Sequence, residues 1–312
     1  MRMMKIQNEV ETLTDVAKKF LRVKEAQHCS INTLRDYREQ ISKFLLVSRD
    51  SLEYGVLEDD VLRFFASIPD TSPARYNKPF QNINSLLNWM VEQDYIPKNP
   101  IKALKLRKRK DEGNIKPVDI SCLQAFLSAL DRSSYTGLRD YTIILIMLDT
   151  GIRTKELLSL RSDDYLRDVR CLVIEKTVAK TRTKRMVFLS SSTAYALERF
   201  LTKKPVVWED WLFPNYEGKQ LKVDHLDKSF SKHSAVCGIK ITPYQLRHTF
   251  ATLYLKNGGD LFSLQHIMGH ADLRMTKRYT ELDEDYVQRQ HKSFSPINLL
   301  NEKKNSRMIR LR

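Results

Sequence analysis

No apolar run in this sequence approaches the roughly 18 residues that a membrane-spanning helix requires. The longest, "TIILIML" at 142–148, is short enough to read as a buried helix. The opening residues, "MRMMKIQNEVETL", lack the apolar core of a secretory signal. A cytoplasmic protein with no membrane partner is therefore expected. Cysteine is scarce and scattered. Cys29, Cys122, Cys171 and Cys237 form no C-x-x-C pair and no Cys/His cluster with zinc spacing. They read as free thiols in a reducing compartment, and no metal site is expected. A phosphate-cradling glycine loop and an acidic metal cluster are also missing, so no cofactor is expected. There is no internal repeat.

What the chain does have is positive charge. Its 312 residues carry 53 Lys and Arg against 38 Asp and Glu, a net charge of +15. That balance points to a polyanionic partner, nucleic acid before membrane, with a merely solvated basic surface as the plain alternative. At 42% hydrophobic, the chain has material for a sizeable core, and its length favours two domains.

Residues 1–100 read as helical. Leu34, Tyr37, Ile41 and Phe44 are spaced 3, 4, 3 behind a candidate N-cap at Ser30, and Phe80, Ile83, Leu87 and Met90 repeat that spacing. Leu13, Val16 and Phe20 mark a shorter apolar face. Then comes "KNPIKALKLRKRKDEGNIKPVDIS" at 98–121, with Pro100 and Pro117 near its ends. It reads as an interdomain linker, a flexible charged tether that can also serve as a basic strap on phosphates through Lys105, Arg107, Lys108, Arg109 and Lys110. Beyond it, helical faces appear at 123–130, 139–149, 192–203, 223–235 and 243–256. "RCLVIEK" (170–176) and "RMVFLS" (185–190) read as two strands of a β-hairpin with a basic tip, and Arg185 at the second strand is expected to meet DNA. The fold class is mainly α with a small antiparallel β-sheet. A helical bundle is expected over 1–100, a basic linker over 101–117, an α+β domain over 118–296 and a basic tail over 297–312.

The stretch "HIMGHADLRMTKRYT" (266–280) raises a chemical question, because Tyr279 follows His270 by nine residues, directly behind Lys277 and Arg278. A phenol has a pKa of about 10, so making its phenolate near neutral pH costs roughly 4 kcal/mol. Nearby cations would offset that cost. Candidates lie in two other stretches. In "DTGIRTKELLSLR" (149–161) a Gly turn precedes Arg153, with Glu156 three residues on, on the same side of a helix. In "TPYQLRHTFAT" (242–252), Thr242 and Pro243 read as N-cap and N1, which turns Tyr244 and Arg247 the same way.

Taken together, these stretches resemble the tyrosine recombinases, the lambda-integrase family, over nearly the whole chain. Gly151, Arg153 and Glu156 match its Gly-x-Arg-x-x-Glu arrangement. Lys180 matches its β-hairpin lysine, although "AKTRTKRMVFL" replaces the usual Gly-Lys-Gly-x-Lys-x-Arg run. "YQLRHTFAT" matches its Leu-Arg-His box, and "IMGH" its Leu-Gly-His box, followed at the usual interval by Tyr279. Tyr244 stands where the family most often has histidine, and a phenol is a poor general base near neutral pH.

The resemblance implies a catalytic set of Arg153, Lys180, Tyr244, Arg247, His270 and Tyr279. Arg153, Arg247 and His270 would grip one phosphate, Tyr279 would attack it, and Lys180 would protonate the leaving oxygen. Glu156 would orient arginine side chains, and His248 would pack behind Arg247. The partner implied is double-stranded DNA bearing a specific recombination site, recombined by a homotetramer that is a monomer when free. The role implied is site-specific recombination in a bacterial cytoplasm, at the nucleoid, for a mobile element. Xer-like resolution of chromosome or plasmid dimers, a type IB-like topoisomerase and a catalytically weak DNA-binding protein are the alternatives. The segment 281–312, with Tyr286, Val287, Phe294 and Leu299, would either dock on a neighbour or close the chain's own core.

Overall fold

The computed structural model describes residues 11–70, 72–110, 117–175, 184–277, 279, 288 and 291–297. The chain divides into two compact units, one up to Gly113 and one from Asn114 onward.

The first unit is built from α1 (Leu13–Ala26), α2 (Ile31–Leu45), α3 (Tyr54–Ser67), α4 (Pro73–Glu92) and the short α5 (Pro100–Ala103). Local chemistry starts three of the four long helices. Thr12 and Asp15 form a reciprocal capping box at α1, Ser30 accepts the Thr33 amide at α2, and Ser72 caps α4 with Pro73 in its first turn. The apolar faces then meet. Leu13, Val16, Phe20, Ile41, Phe44, Ile83, Leu87 and Met90 are all buried in one core. Each large side chain so buried contributes about 1.5–3 kcal/mol.

Residues 100–110, the start of the segment read as a linker, belong to this unit. Asn99 caps α5 through the Ile101 amide, and its Nδ2 donates to Asn84 and Asn88 of α4. Ile101 is buried, and Leu104 and Leu106 pack on the same core. Asn77 clasps the backbone of Arg109 with two hydrogen bonds of 2.9 Å. The Arg109 guanidinium lies 4.4 Å from the Tyr76 ring centre and pairs with Asp70. Lys105, Arg107, Lys108 and Lys110 are exposed.

The second unit contains α6 (Ile120–Ser128), α7 (Tyr135–Thr150), α8 (Thr154–Leu157), the strands β1 (Tyr165–Leu166), β2 (Cys171–Ile174) and β3 (Arg185–Phe188), then α9 (Ser191–Leu201), α10 (Val223–Cys237), α11 (Pro243–Lys256), α12 (Leu261–Met268) and α13 (Leu273–Lys277). The apolar α7 is central and packs against both α9 and α11. Its Ile143, Ile144, Ile146 and Met147 are buried. Asp140 of α7, fully buried, is bonded by Arg139 at 2.9 Å and by the hydroxyl of Ser229, which ties α7 to α10. The three strands form one antiparallel sheet in the order β1-β2-β3, with Leu172 opposite Val187. The fold class expected from the sequence is the one observed: helices throughout, with one small antiparallel sheet in the second unit.

Among the described residues no helix is long and apolar enough to cross a membrane.

Candidate active site

Two left-handed glycines shape the site. Gly151 ends α7 at φ +60°, and a Cβ there would lie 2.3 Å from the Phe250 ring. Gly269 ends α12 at φ +61°, where a Cβ would lie 2.8 Å from the guanidinium carbon of Arg185. Glycine alone takes this backbone geometry without strain. The sharp turns send the chain directly into Arg153 and His270.

Arg153 caps the start of α8. Its Nη1 donates to Glu156 Oε1 at 3.0 Å and its Nη2 to the Gly269 carbonyl at 2.9 Å. Arg247 rises from α11, which opens with a Thr242–Gln245 capping box and Pro243 in its first turn. The residue is 7% exposed. It donates to the carbonyls of Gly151 and Met268 and to His270 Nε2 at 2.8 Å. His270 is buried, with Nδ1 2.9 Å from Thr276 Oγ1. Arginine can only donate, so Nε2 of His270 is the bare nitrogen, and Nδ1 carries the proton toward Thr276.

Tyr279 comes to the same place. Its half-buried ring lies nearly parallel to His270, with centres 6.4 Å apart, and 5.1 Å from the His248 ring. Its amide donates to the Thr276 carbonyl at 3.0 Å. Tyr244 is exposed, and its ring meets His248 edge-on at 4.4 Å. His248, expected behind Arg247, thus lies between the two tyrosines. Arg153, Arg247, His270 and Tyr279, from distant stretches, converge within one chain. Lys180, Arg278 and most of the C-terminal segment lie outside the described residues.

One expectation is corrected. Arg185, assigned to DNA, is 4% exposed. It donates to Ile267 O at 3.0 Å and to both oxygens of Glu156, at 3.3 and 2.5 Å. All three contacts are internal, so its guanidinium is held by Glu156 and the end of α12 and not displayed on the surface. Sequence reasoning also missed Thr276. A threonine six residues past a histidine carries no signal until the turn between them is known.

The charges explain the titration behaviour. Arg153 and Arg185 pair with one carboxylate, and Arg247 lies within its field. Burial pushes the His270 pKa down to about 4, helped by the three arginines and His248, so its imidazole is neutral near pH 7. Burial, then repulsion from Arg153, lowers Arg247 to about 10, which leaves it charged. Burial alone would raise Glu156. Hydrogen bonds and attraction from Arg185 and Arg153 outweigh it and hold the carboxyl below its usual range. Such a pocket can bind an anion and stabilise charge that grows on it. Among the described residues, no group of three or more His, Cys, Asp or Glu side chains could hold a metal ion.

The phage integrase family model matches residues 119–285, over half of the chain, and spans all of these elements. The chain belongs to the phage integrase family. This family member is 28% identical over 281 residues to the tyrosine recombinase XerD of Listeria monocytogenes, covering 86% of this chain and 93% of that one. Its fold is similar to the Tn1549 transposon integrase in complex with circular intermediate DNA (TM-score 0.73, 20% identity, 90% of this chain and 99% of that one). It is also similar to a lambda integrase dimer bound to a COC′ core site (TM-score 0.71, 17% identity, 85% and 97%). The enzyme class read from the sequence, a tyrosine-type site-specific recombinase, stands on this membership and on the XerD likeness.

Proposed function

We propose that this phage integrase family protein cuts and rejoins DNA at a specific site through Tyr279, as the recombinase of a mobile element. The observation that supports the reading is the convergence of Arg153, Arg247 and His270 beside the Tyr279 ring. The Tyr279 oxygen attacks a phosphodiester and gives up its proton to water. The P–O5′ bond breaks as the P–O tyrosyl bond forms, which leaves a 3′-phosphotyrosyl ester and a 5′ hydroxyl. One ester replaces another, so no external energy source is required, and a 5′ hydroxyl from a second duplex reverses the step.

Each residue then has a role. Arg153 and Arg247 take the non-bridging oxygens through N–H donors. Two of Arg153's five donors are engaged by Glu156 and Gly269, so donors remain for a phosphate. His270 can donate from Nε2 once Arg247 turns toward the phosphate and the ring carries a proton there, either as imidazolium or as the tautomer whose Nδ1 accepts from the Thr276 hydroxyl. Lys180 supplies the proton to the 5′ oxygen. Tyr244 bounds the nucleophile's surroundings through His248 rather than acting as a base. The exposed Lys105, Arg107, Lys108 and Lys110 bind backbone phosphates. The working assembly is a tetramer on two duplexes, formed from monomers.

The test is covalent capture. Fragmented DNA of the source organism is incubated with the full chain, and denaturation-resistant adducts are sequenced. Adducts at the ends of a mobile element, lost in Tyr279→Phe, support the proposal. The near full-length likeness to XerD favours a second reading, dimer resolution, for which adducts map to one chromosomal or plasmid site. No adduct under any condition leaves a DNA-binding protein without cutting activity.

A further inference from the structure

Glu156 is 1% exposed, and two guanidiniums divide it. Oε1 accepts from Arg153 at 3.0 Å and from Arg185 at 3.3 Å. Oε2 accepts from Arg185 at 2.5 Å and from the Arg153 amide at 3.3 Å. A buried carboxylate paired with Arg153 alone would fix that side chain and cancel its charge. Arg153 would then be well placed and electrically of little use to a phosphate. Arg185 removes the conflict by bringing a second cation to the same carboxylate, so the trio keeps one positive charge. Its own guanidinium is enclosed, so it acts on the site through its field and its hydrogen bonds and not by meeting a phosphate.

We infer that Arg185 is a positioning residue of the recombination site: it neutralises Glu156, so that Arg153 is held by that carboxylate and still cationic toward a phosphate. The inference rests on the recombinase reading above. Arg185 also opens β3 at the foot of the hairpin, and its Nε holds the Ile267 carbonyl three residues before His270. Gly269 packs against its guanidinium carbon with no room for a Cβ. One side chain therefore links the hairpin, Glu156 and the turn that carries His270.

His270 reports on this balance in the free protein. The groups that face it are Arg247, Arg153, Arg185 and His248 as cations or potential cations, with Thr276 and Tyr279 completing its surroundings. Removing one cation makes the imidazole easier to protonate.

The experiment uses the full chain, labelled at histidine for NMR, and a duplex carrying the site mapped by covalent capture. In Arg185→Met, His270 titrates at higher pH than in the parent. Single-turnover cleavage falls at least about tenfold, while the Kd for the same duplex is unchanged. Adding Glu156→Gln to Arg185→Met restores the charge balance. It brings His270 back down and recovers part of the cleavage. A role in packing alone predicts the reverse, because the double variant has lost a further buried contact and is worse than the single. That result, or a His270 titration unmoved by Arg185→Met in a folded chain, overturns the inference. Should Arg185→Met fail to fold, Arg185→Gln is neutral but hydrogen-bonding and must show the same upward shift, whereas Arg185→Lys must stay near the parent. If the parent itself cuts no DNA, the recombinase reading falls, and the His270 titration still decides the charge balance.

Discussion

Arg247 donates from Nη2 to His270 Nε2 at 2.8 Å, and the pair is buried. Burial, helped by the Arg247 charge, keeps the imidazole neutral and gives a pH signature. The folded pKa of about 4 is below the unfolded value of 6.5. Between those values the unfolded chain binds the extra proton. Stability from this group is therefore full above about pH 6.5 and is lost as the pH falls toward 4. The loss amounts to up to about 3 kcal/mol at about 1.36 kcal/mol per pKa unit. Urea unfolding across this window measures it, and His270→Gln should flatten the dependence.

Tyr279→Phe should keep the fold and DNA binding and abolish the covalent adduct. The ring contacts with His270 and His248 do not need the hydroxyl. Thermal unfolding and a gel shift establish the first half, and adduct capture the second. An adduct that persists in the variant would move the nucleophile elsewhere.

Replacing Lys105, Arg107, Lys108 and Lys110 together by alanine should flatten the salt dependence of DNA binding. If each side chain neutralises one phosphate, the slope of log K against log salt changes by about 0.9 per contact. Arg109→Ala should behave differently. Its guanidinium is stacked on Tyr76 and paired with Asp70, so its loss should lower the stability of the first unit as well. Affinity measured at several salt concentrations, beside unfolding curves, separates the two.

Asp140→Ala should lower stability by about 3–5 kcal/mol, because it leaves the buried Arg139 guanidinium without its carboxylate. The shift in urea midpoint reads this directly. A change under about 1 kcal/mol would mean that water reaches the pair.

Long apolar periodicities were legible in the sequence. The faces at Ile41 and Phe44, at Ile83 and Leu87, and the α7 run all became core, because each helix has a whole side to bury. The capped start of α11 was equally plain, since Thr242 and Pro243 announce it locally. Short elements were less visible: α5, α13 and β1 have too few residues for a period to show. The charge run at 105–110 hid Leu104 and Leu106, which bind its beginning to the first unit. Arg185 was misread for a related reason. An arginine looks like surface in one dimension, and its buried partner Glu156 lies 29 residues away. Contacts to carbonyls, such as those of Arg247 with Gly151 and Met268, leave no trace in side-chain patterns at all.

Thr276 touches the candidate site twice. Its hydroxyl meets the imidazole of His270, and its carbonyl takes the amide of Tyr279. Any displacement that carries this threonine away with the tyrosine strips the histidine of its anchor in the same motion. The imidazole and the phenol are thus tied to one residue, and a shift of that residue is felt at both.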